Sequence, residues 1–108
     1  MSKYHNRKVT RDGETFDSAK EYRRFCELRL LERAGAVTDL RRQVKFELIP
    51  AQRIDGKVVE RACGYVADFV YMENGLQVVE DTKGMRTQEY RLKRKLMLWV
   101  HGIRIKET

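Results

Sequence analysis

The chain is short of the residues that staple small proteins or carry nucleophilic chemistry. It has two cysteines in 108 residues, Cys26 and Cys63. Their spacing matches no metal or redox motif, so they read as reduced, inert thiols of a cytosolic protein rather than as a disulfide framework or a zinc site. The two histidines, His5 and His101, have no partner by spacing, and neither is assigned a catalytic role. No apolar run approaches the roughly 18 residues of a membrane-spanning helix. Met1 to Asp17 reads as polar, without the apolar core of a secretory signal. Repeats and low-complexity tracts are absent. Acids are also in deficit: 16 Asp and Glu stand against 23 Lys and Arg, a net charge of +7 with a pI near 9.6.

That balance favours a polyanionic partner: DNA, RNA or anionic lipid. The length fits a single domain over 1–108 with a modest core, which a partner subunit would help to stabilise. Residues 1–16 form a basic arm in which Lys3, Arg7, Lys8 and Arg11 interleave with Tyr4 and His5, with a hairpin at Asp12-Gly13. Such an arm either lies along a phosphate backbone or is a solvated terminus.

The organising stretch runs from Tyr65 to Gly84. Asn74-Gly75 separates two alternating apolar runs, the pattern of a two-residue type I′ hairpin. Counting outward pairs Glu73 with Leu76, Tyr71 with Val78 and Phe69 with Glu80, which sets Asp68 opposite Asp81. Period-two alternation then predicts one face carrying Val66, Asp68 and Val70 together with Val79, Asp81 and Lys83. A three-residue loop, Glu73 to Gly75, would instead set Asp68 opposite Glu80 and send Lys83 to the other face. The two-residue loop is preferred because it alone gathers Asp68, Asp81 and Lys83. Opposed like charges destabilise a sheet, and a divalent cation is the simplest reason to keep two carboxylates together.

A helix is expected from Asp17 or Ser18 to about Ala34, closed by Gly35, with Tyr22, Phe25, Leu28 and Leu31 as its apolar stripe. Glu21 projects from the middle of that stripe. Ser18-x-x-Glu21 reads as a capping box with Glu21 reaching back to the Ser18 amide; alternatively Glu21 is a third carboxylate aimed at the sheet. Glu27 and Glu32 read as surface charges. Val37 to Leu40 starts a strand, and Gln43 to Ile49 is a clearer one, ended by Pro50. Asp55-Gly56 marks a turn, with Lys57 to Ala62 returning as a short edge strand. The hairpin, apolar on both faces, belongs in the middle of the sheet. Thr87 caps a second helix, Gln88 to about Val100, burying Leu92, Leu96 and Trp99 with Met97 and Val100 beside them. Tyr90 is assigned to the core. Arg91, Lys93, Arg94 and Lys95 form either a solvated face or a phosphate-tracking one. Ile103 and Ile105 make a last short strand. The order predicts an α/β domain: a mixed central sheet with flanking helices.

Glu21 on a helix, then Asp68, then Asp81-Thr82-Lys83 thirteen positions on, resembles the P-D-(D/E)-X-K nuclease superfamily, whose restriction-endonuclease-like core runs α-β-β-β-α-β. Ala67 stands where that superfamily often has proline. The segments F-D-S-A-K-E-Y, L-L-E-R-A-G, Q-V-K-F-E-L, Y-V-A-D-F-V-Y, V-V-E-D-T-K-G and Y-R-L-K-R-K-L resemble, over nearly the whole chain, a family of small phage proteins usually taken as endonucleases related to Holliday-junction resolvases. The resemblance implies a Mg²⁺-dependent endodeoxyribonuclease, with Mn²⁺ as a substitute ion. Asp68, Asp81, Glu21 and the Thr82 carbonyl would be metal ligands, and Lys83 would orient the attacking water or the scissile phosphate. Gln43 would border the site. The substrate would be branched DNA, cut by a homodimer in the host bacterial cytoplasm, with Lys3, Arg7, Lys8, Arg91, Lys93, Arg94 and Lys95 on phosphates. A nicking, repair or restriction-like nuclease on duplex or flap DNA, and a non-catalytic basic DNA-binding domain whose acids are structural, are the alternative readings.

Overall fold

The computed structural model describes residues 7–83 and 85–108. Three reversals have an Asx residue followed by glycine, both at positive φ: Asp12 (53°) and Gly13 (79°), Asp55 (52°) and Gly56 (77°), and Asn74 (53°) and Gly75 (76°). These are type I′ angles, which Asn, Asp and Gly tolerate best. The first joins β1 (Val9–Arg11) to β2 (Glu14–Phe16). Helix α1 (Ala19–Arg33) follows, with Ser18 as its N-cap accepting from the Glu21 amide. Next come the long strand β3 (Thr38–Ile49), the small hairpin of β4 (Gln52–Ile54) and β5 (Lys57–Glu60), and the central hairpin of β6 (Cys63–Glu73) and β7 (Leu76–Asp81). Helix α2 (Gln88–His101), capped by Thr87, and β8 (Lys106–Glu107) complete the chain.

The main sheet has the order β3-β6-β7-β8. The first two junctions are antiparallel, and β7 runs parallel to β8. Without the two small hairpins, the order is the expected α-β-β-β-α-β in a mixed sheet. The central hairpin has the expected register: Glu73 faces Leu76, Tyr71 faces Val78 and Phe69 faces Glu80. It lies between β3 and β8, with apolar clusters on both faces. One contains Tyr65, Ala67, Val70 and Val79 with Tyr90 and Met97 of α2; the other contains Phe69 and Tyr71 with Leu28 of α1.

Cluster membership exposes a break in the alternation. Strict period two would put Ala67 and Phe69 on one face, yet Ala67 packs under α2 and Phe69 under α1. The partner strand changes sides at the same level. Arg42 lies over the Phe16 ring beside α1, whereas Val44 packs in the α2 cluster. Between Arg42 and Val44 stands Gln43, at φ 52°, and between Ala67 and Phe69 stands Asp68. Both strands therefore switch faces at one rung. The expected single face holding Val66, Asp68 and Val70 is not formed: Val70 is buried in the α2 cluster and Val66 is 47% exposed.

Four further expectations are corrected. Lys57–Glu60 pairs with Gln52–Ile54 in a separate two-stranded sheet and is no edge of the main one. Leu31 lies at the surface, its carbonyl accepting from the Ala36 and Val37 amides. In α2 the buried residues are Tyr90 and Met97, while Leu92 and Trp99 are exposed, Trp99 at 86%. The last strand is Lys106–Glu107; Ile105 is buried just before it, and Ile103 is half-buried. Among the described residues, no helix is long and apolar enough to cross a membrane.

Candidate metal centre

The double face switch brings carboxylates from both sides of the sheet together. Glu21 reaches in from α1. One of its oxygens accepts from the Asp17 amide at 2.7 Å and the other from Gln43 Nε2 at 2.9 Å. The cap and the third-carboxylate readings thus hold in one side chain, although the amide it reaches is that of Asp17, one residue before the expected Ser18. Gln43 Nε2 also lies 3.4 Å from Asp68 Oδ1, so one neutral donor joins two acids. Asp68 Oδ2 accepts from the Thr82 amide at 2.9 Å and the Thr82 hydroxyl at 2.8 Å. Asp81 stands beside Asp68 on the next strand, close enough for each to shift the other's proton affinity. Its Oδ2 accepts from the Tyr65 hydroxyl at 2.5 Å and lies 3.3 Å from Lys83 Nζ, which rests 4.4 Å from the centre of the Tyr90 ring.

Glu21, Asp68, Asp81 and Lys83 thus come together, though by a switch of faces and not along one. Two contributors had not been singled out for the site. Asp17 places a carboxylate oxygen within 4.8 Å of oxygens of Glu21 and Asp68; its position just before the cap was the available signal. Tyr65 holds Asp81 from below, and nothing in its spacing announced that. Thr82 engages Asp68 through its amide and hydroxyl, leaving its carbonyl as a proposed ligand only.

Three acids buried around one lysine cannot all keep their charge easily. Burial, and then the charge of Asp68, push Glu21 up to about 7, against the pull of the Asp17 amide. Burial, and then the bond to Asp68 and its charge, push Asp81 up to about 8, against Tyr65 and Lys83. Burial also pushes Asp68 upward, but donors from Asp81 and Thr82 outweigh it and hold its carboxyl below the usual range. Glu21 and Asp81 therefore bind protons more tightly folded than unfolded. Their contribution to stability is full below the ordinary carboxylate range and is lost as pH rises through about 7 and 8. Asp68 acts in the opposite sense, but only at acid pH. In EDTA the unfolding free energy should fall by on the order of 3–7 kcal/mol between pH 5 and pH 9. Glu21→Gln should flatten that slope, and Mg²⁺ should stabilise the protein more at pH 9 than at pH 5. A denaturation series with no pH slope between those limits, in EDTA, would refute this coupling.

The expected phosphate contacts divide into groups. Lys3 lies outside the described residues. Arg7, Lys8, Arg91 and Lys95 are exposed. Lys93 pairs with Glu89 at 3.1 Å and, with Thr87 and with Tyr65 and Lys83, the two residues that contact Asp81, lines a cleft of about 300 Å³. Arg94 is tied to Glu107 at 3.1 Å, an internal link between α2 and β8. His101 Nε2 bonds the Glu47 carbonyl at 2.7 Å, a structural contact, and His5 lies outside the described residues. Glu27 is a surface acid paired with Arg24, whereas Glu32 is half-buried and accepts from the Leu40 amide. Both cysteines are free and half-buried.

Residues 1–104 match a family model described as "Protein of unknown function (DUF1064)". No significant match was found among curated proteins or solved structures.

Proposed function

The chain belongs to that DUF1064 family, and we propose that it is a Mg²⁺-dependent DNA endonuclease, structure-selective on branched DNA. The observation that carries this reading is the convergence of buried Glu21, Asp68 and Asp81 with Lys83 at the end of a strand, beside a cleft, on a chain of net charge +7. The α-β-β-β-α-β order and the resemblance to P-D-(D/E)-X-K nucleases support it. Surface ion pairs do not account for these acids, because Glu21 and Asp81 are each 1% exposed.

The donor set fits the ion. Three carboxylates, Asp17, Glu21 and Asp68, bring hard oxygen ligands within 4.8 Å of one another, with Asp81 beside Asp68 and outside that group; no histidine or thiol belongs to it, which suits Mg²⁺ or Mn²⁺ over zinc. Asp68 and Asp81 would hold the ion, with Glu21, Asp17 and the Thr82 carbonyl as further candidates. Bound there, Mg²⁺ would supply phosphate charge neutralisation, an activated water and a stabilised leaving oxygen. The protein's own groups position the parts. Tyr65 fixes Asp81, Thr82 fixes Asp68, and Gln43 spans Glu21 and Asp68. The strain of a left-handed glutamine, about 1–3 kcal/mol, is consistent with a residue kept for its place in the site. Lys83 is held by Asp81 and the Tyr90 ring, within reach of a phosphate oxygen in the cleft.

Four-way junction, flap, nicked and linear duplex DNA, each with Mg²⁺ and with EDTA, test the reading. Cleavage is expected with Mg²⁺ alone and on branched substrates first. A metal-independent product, or binding without cleavage on every substrate, would favour the non-catalytic DNA-binding alternative. Preference for linear duplex would favour a restriction-like enzyme. A homodimer acting in the host bacterial cytoplasm remains part of the proposal. The exposed Leu92, Leu98 and Trp99 on α2 would give a second copy an apolar surface to bury. Sedimentation at micromolar concentration that showed monomer alone would remove that element.

A further inference from the structure

A second feature is built on α1 from Tyr22, the residue after Glu21, onward. The β1–β2 hairpin and α1 enclose a groove of about 520 Å³. Its floor is aromatic: Tyr22 and Phe25 are half-buried, each within 5.2 Å of Phe16 by ring centres, and Leu30 at the rim is 63% exposed. Its walls are basic. The Arg11 guanidinium stands 5.6 Å from the Tyr22 ring centre and that of Arg29 stands 5.5 Å from the Phe25 ring centre, with Arg33 further along the helix. Among the described residues, none of these three arginines forms a salt bridge. Of the two acids at the groove, Glu14 is engaged by Arg42 at 3.2 Å, which leaves Asp12 against three cations.

The guanidiniums of Arg11 and Arg29 lie over the Tyr22 and Phe25 rings, so a base would stack on a guanidinium plane or enter between it and the ring, with the remaining cations on the backbone, as single-stranded nucleic acid requires. The groove also adjoins the carboxylates in sequence. Phe16 precedes Asp17, and Tyr22 follows Glu21. We propose that this groove receives an unpaired nucleobase from a DNA strand whose backbone continues to the carboxylate site. The preferred substrate then carries a single-stranded nucleotide beside the cut, and a fully paired duplex leaves the groove empty. The consequence for cleavage rests on the nuclease reading; base binding does not.

The test is binding in EDTA, with a fluorescent purine analogue as the unpaired base of a short flap and a nicked duplex of equal length as the comparison. The flap should bind at least about tenfold tighter, with its fluorescence quenched by stacking. Tyr22→Ala should lose roughly 5- to 150-fold in flap affinity and most of the quenching, with the nicked duplex little changed. Arg29→Gln with Arg33→Gln should lower the salt slope by about one to two and keep the quenching. Should Tyr22→Ala fail to fold by circular dichroism, Leu30→Glu at the exposed rim takes its place, with the same loss expected. Equal affinity for flap and nicked duplex, or quenching untouched by Tyr22→Ala or by Leu30→Glu in its place, overturns the proposal. So does a change in sedimentation by Leu30→Glu without a change in flap binding, which would mark the groove as a protein interface. The nuclease reading fails separately, if Asp81→Asn leaves Mg²⁺-dependent cleavage intact.

Discussion

On the proposed nuclease reading, Asp81→Asn is expected to abolish DNA cleavage and to leave DNA binding at neutral pH nearly unchanged. Loss of a group that merely orients a metal ligand costs about 10- to 100-fold, and loss of a ligand should cost more, so residual cleavage should lie below about 1%. The variant should also fold. Asp81 is pushed up to about 8, so without a cation it is largely protonated at neutral pH. Asparagine is close in shape to that protonated form. Its carbonyl can accept from Tyr65, and its amide can donate to Asp68. Because Asp81 is already largely neutral there, binding in EDTA at neutral pH should be nearly unchanged, and should tighten only as the pH rises past about 8. Single-turnover cleavage with saturating Mg²⁺, beside a binding titration in EDTA, reads both effects. Cleavage at the wild-type rate would remove Asp81 from the metal site. Loss of binding together with cleavage would show that the residue holds the fold and leaves the chemistry untested.

What the sequence disclosed about this site followed from local chemistry. The Asn74-Gly75 turn fixes φ signs by residue type, and with them the register that sets Phe69 opposite Glu80. From there Asp68, Asp81 and Lys83 could be gathered by counting. The face switch could not be read in the same way. It depends on a glutamine at φ 52°, a conformation for which glutamine has no preference and which only tertiary packing imposes. Without it, Asp68 would not stand between Glu21 from one face and Asp81 from the other.

Helix α2 shows a different limit. Ranking its residues by hydrophobicity selects Leu92, Leu96 and Trp99. Leu92 and Trp99 face out; the buried face is centred on Tyr90, as expected, and Met97, with Leu96 packed against the same cluster and the stems of Lys93 and Arg94 beside them. The Tyr90 hydroxyl, though buried, is satisfied there by donating to Glu107 at 2.7 Å. A face built from polar-tipped residues is invisible to an apolar count, and its partner, Glu107, lies in a strand too short and too polar to be recognised as one.

The same blindness hid the ion pair beneath the site, which carries the second large expected effect. Arg24→Met should destabilise the protein by about 3–5 kcal/mol, lowering its melting temperature by at least about 12 °C. Glu80 is fully buried, and Arg24 meets it with two bonds, Nε at 2.6 Å and Nη2 at 3.0 Å; the Tyr71 hydroxyl at 2.6 Å and the Thr108 hydroxyl at 3.2 Å complete its shell. Removing the guanidinium leaves a carboxylate in the core with hydroxyl donors alone. Because Glu80 adjoins Asp81 on β7, the strand end that presents the site should loosen with it. Adding Glu80→Gln to Arg24→Met should restore most of the loss: the amide oxygen can accept from Tyr71, the amide nitrogen can donate to the Thr108 hydroxyl, and the uncompensated charge is gone. Denaturant midpoints of the two single variants and the double at pH 7 separate the cases. If Arg24→Met unfolds within about 1 kcal/mol of wild type, the pair lies in effective contact with water and does not anchor β7.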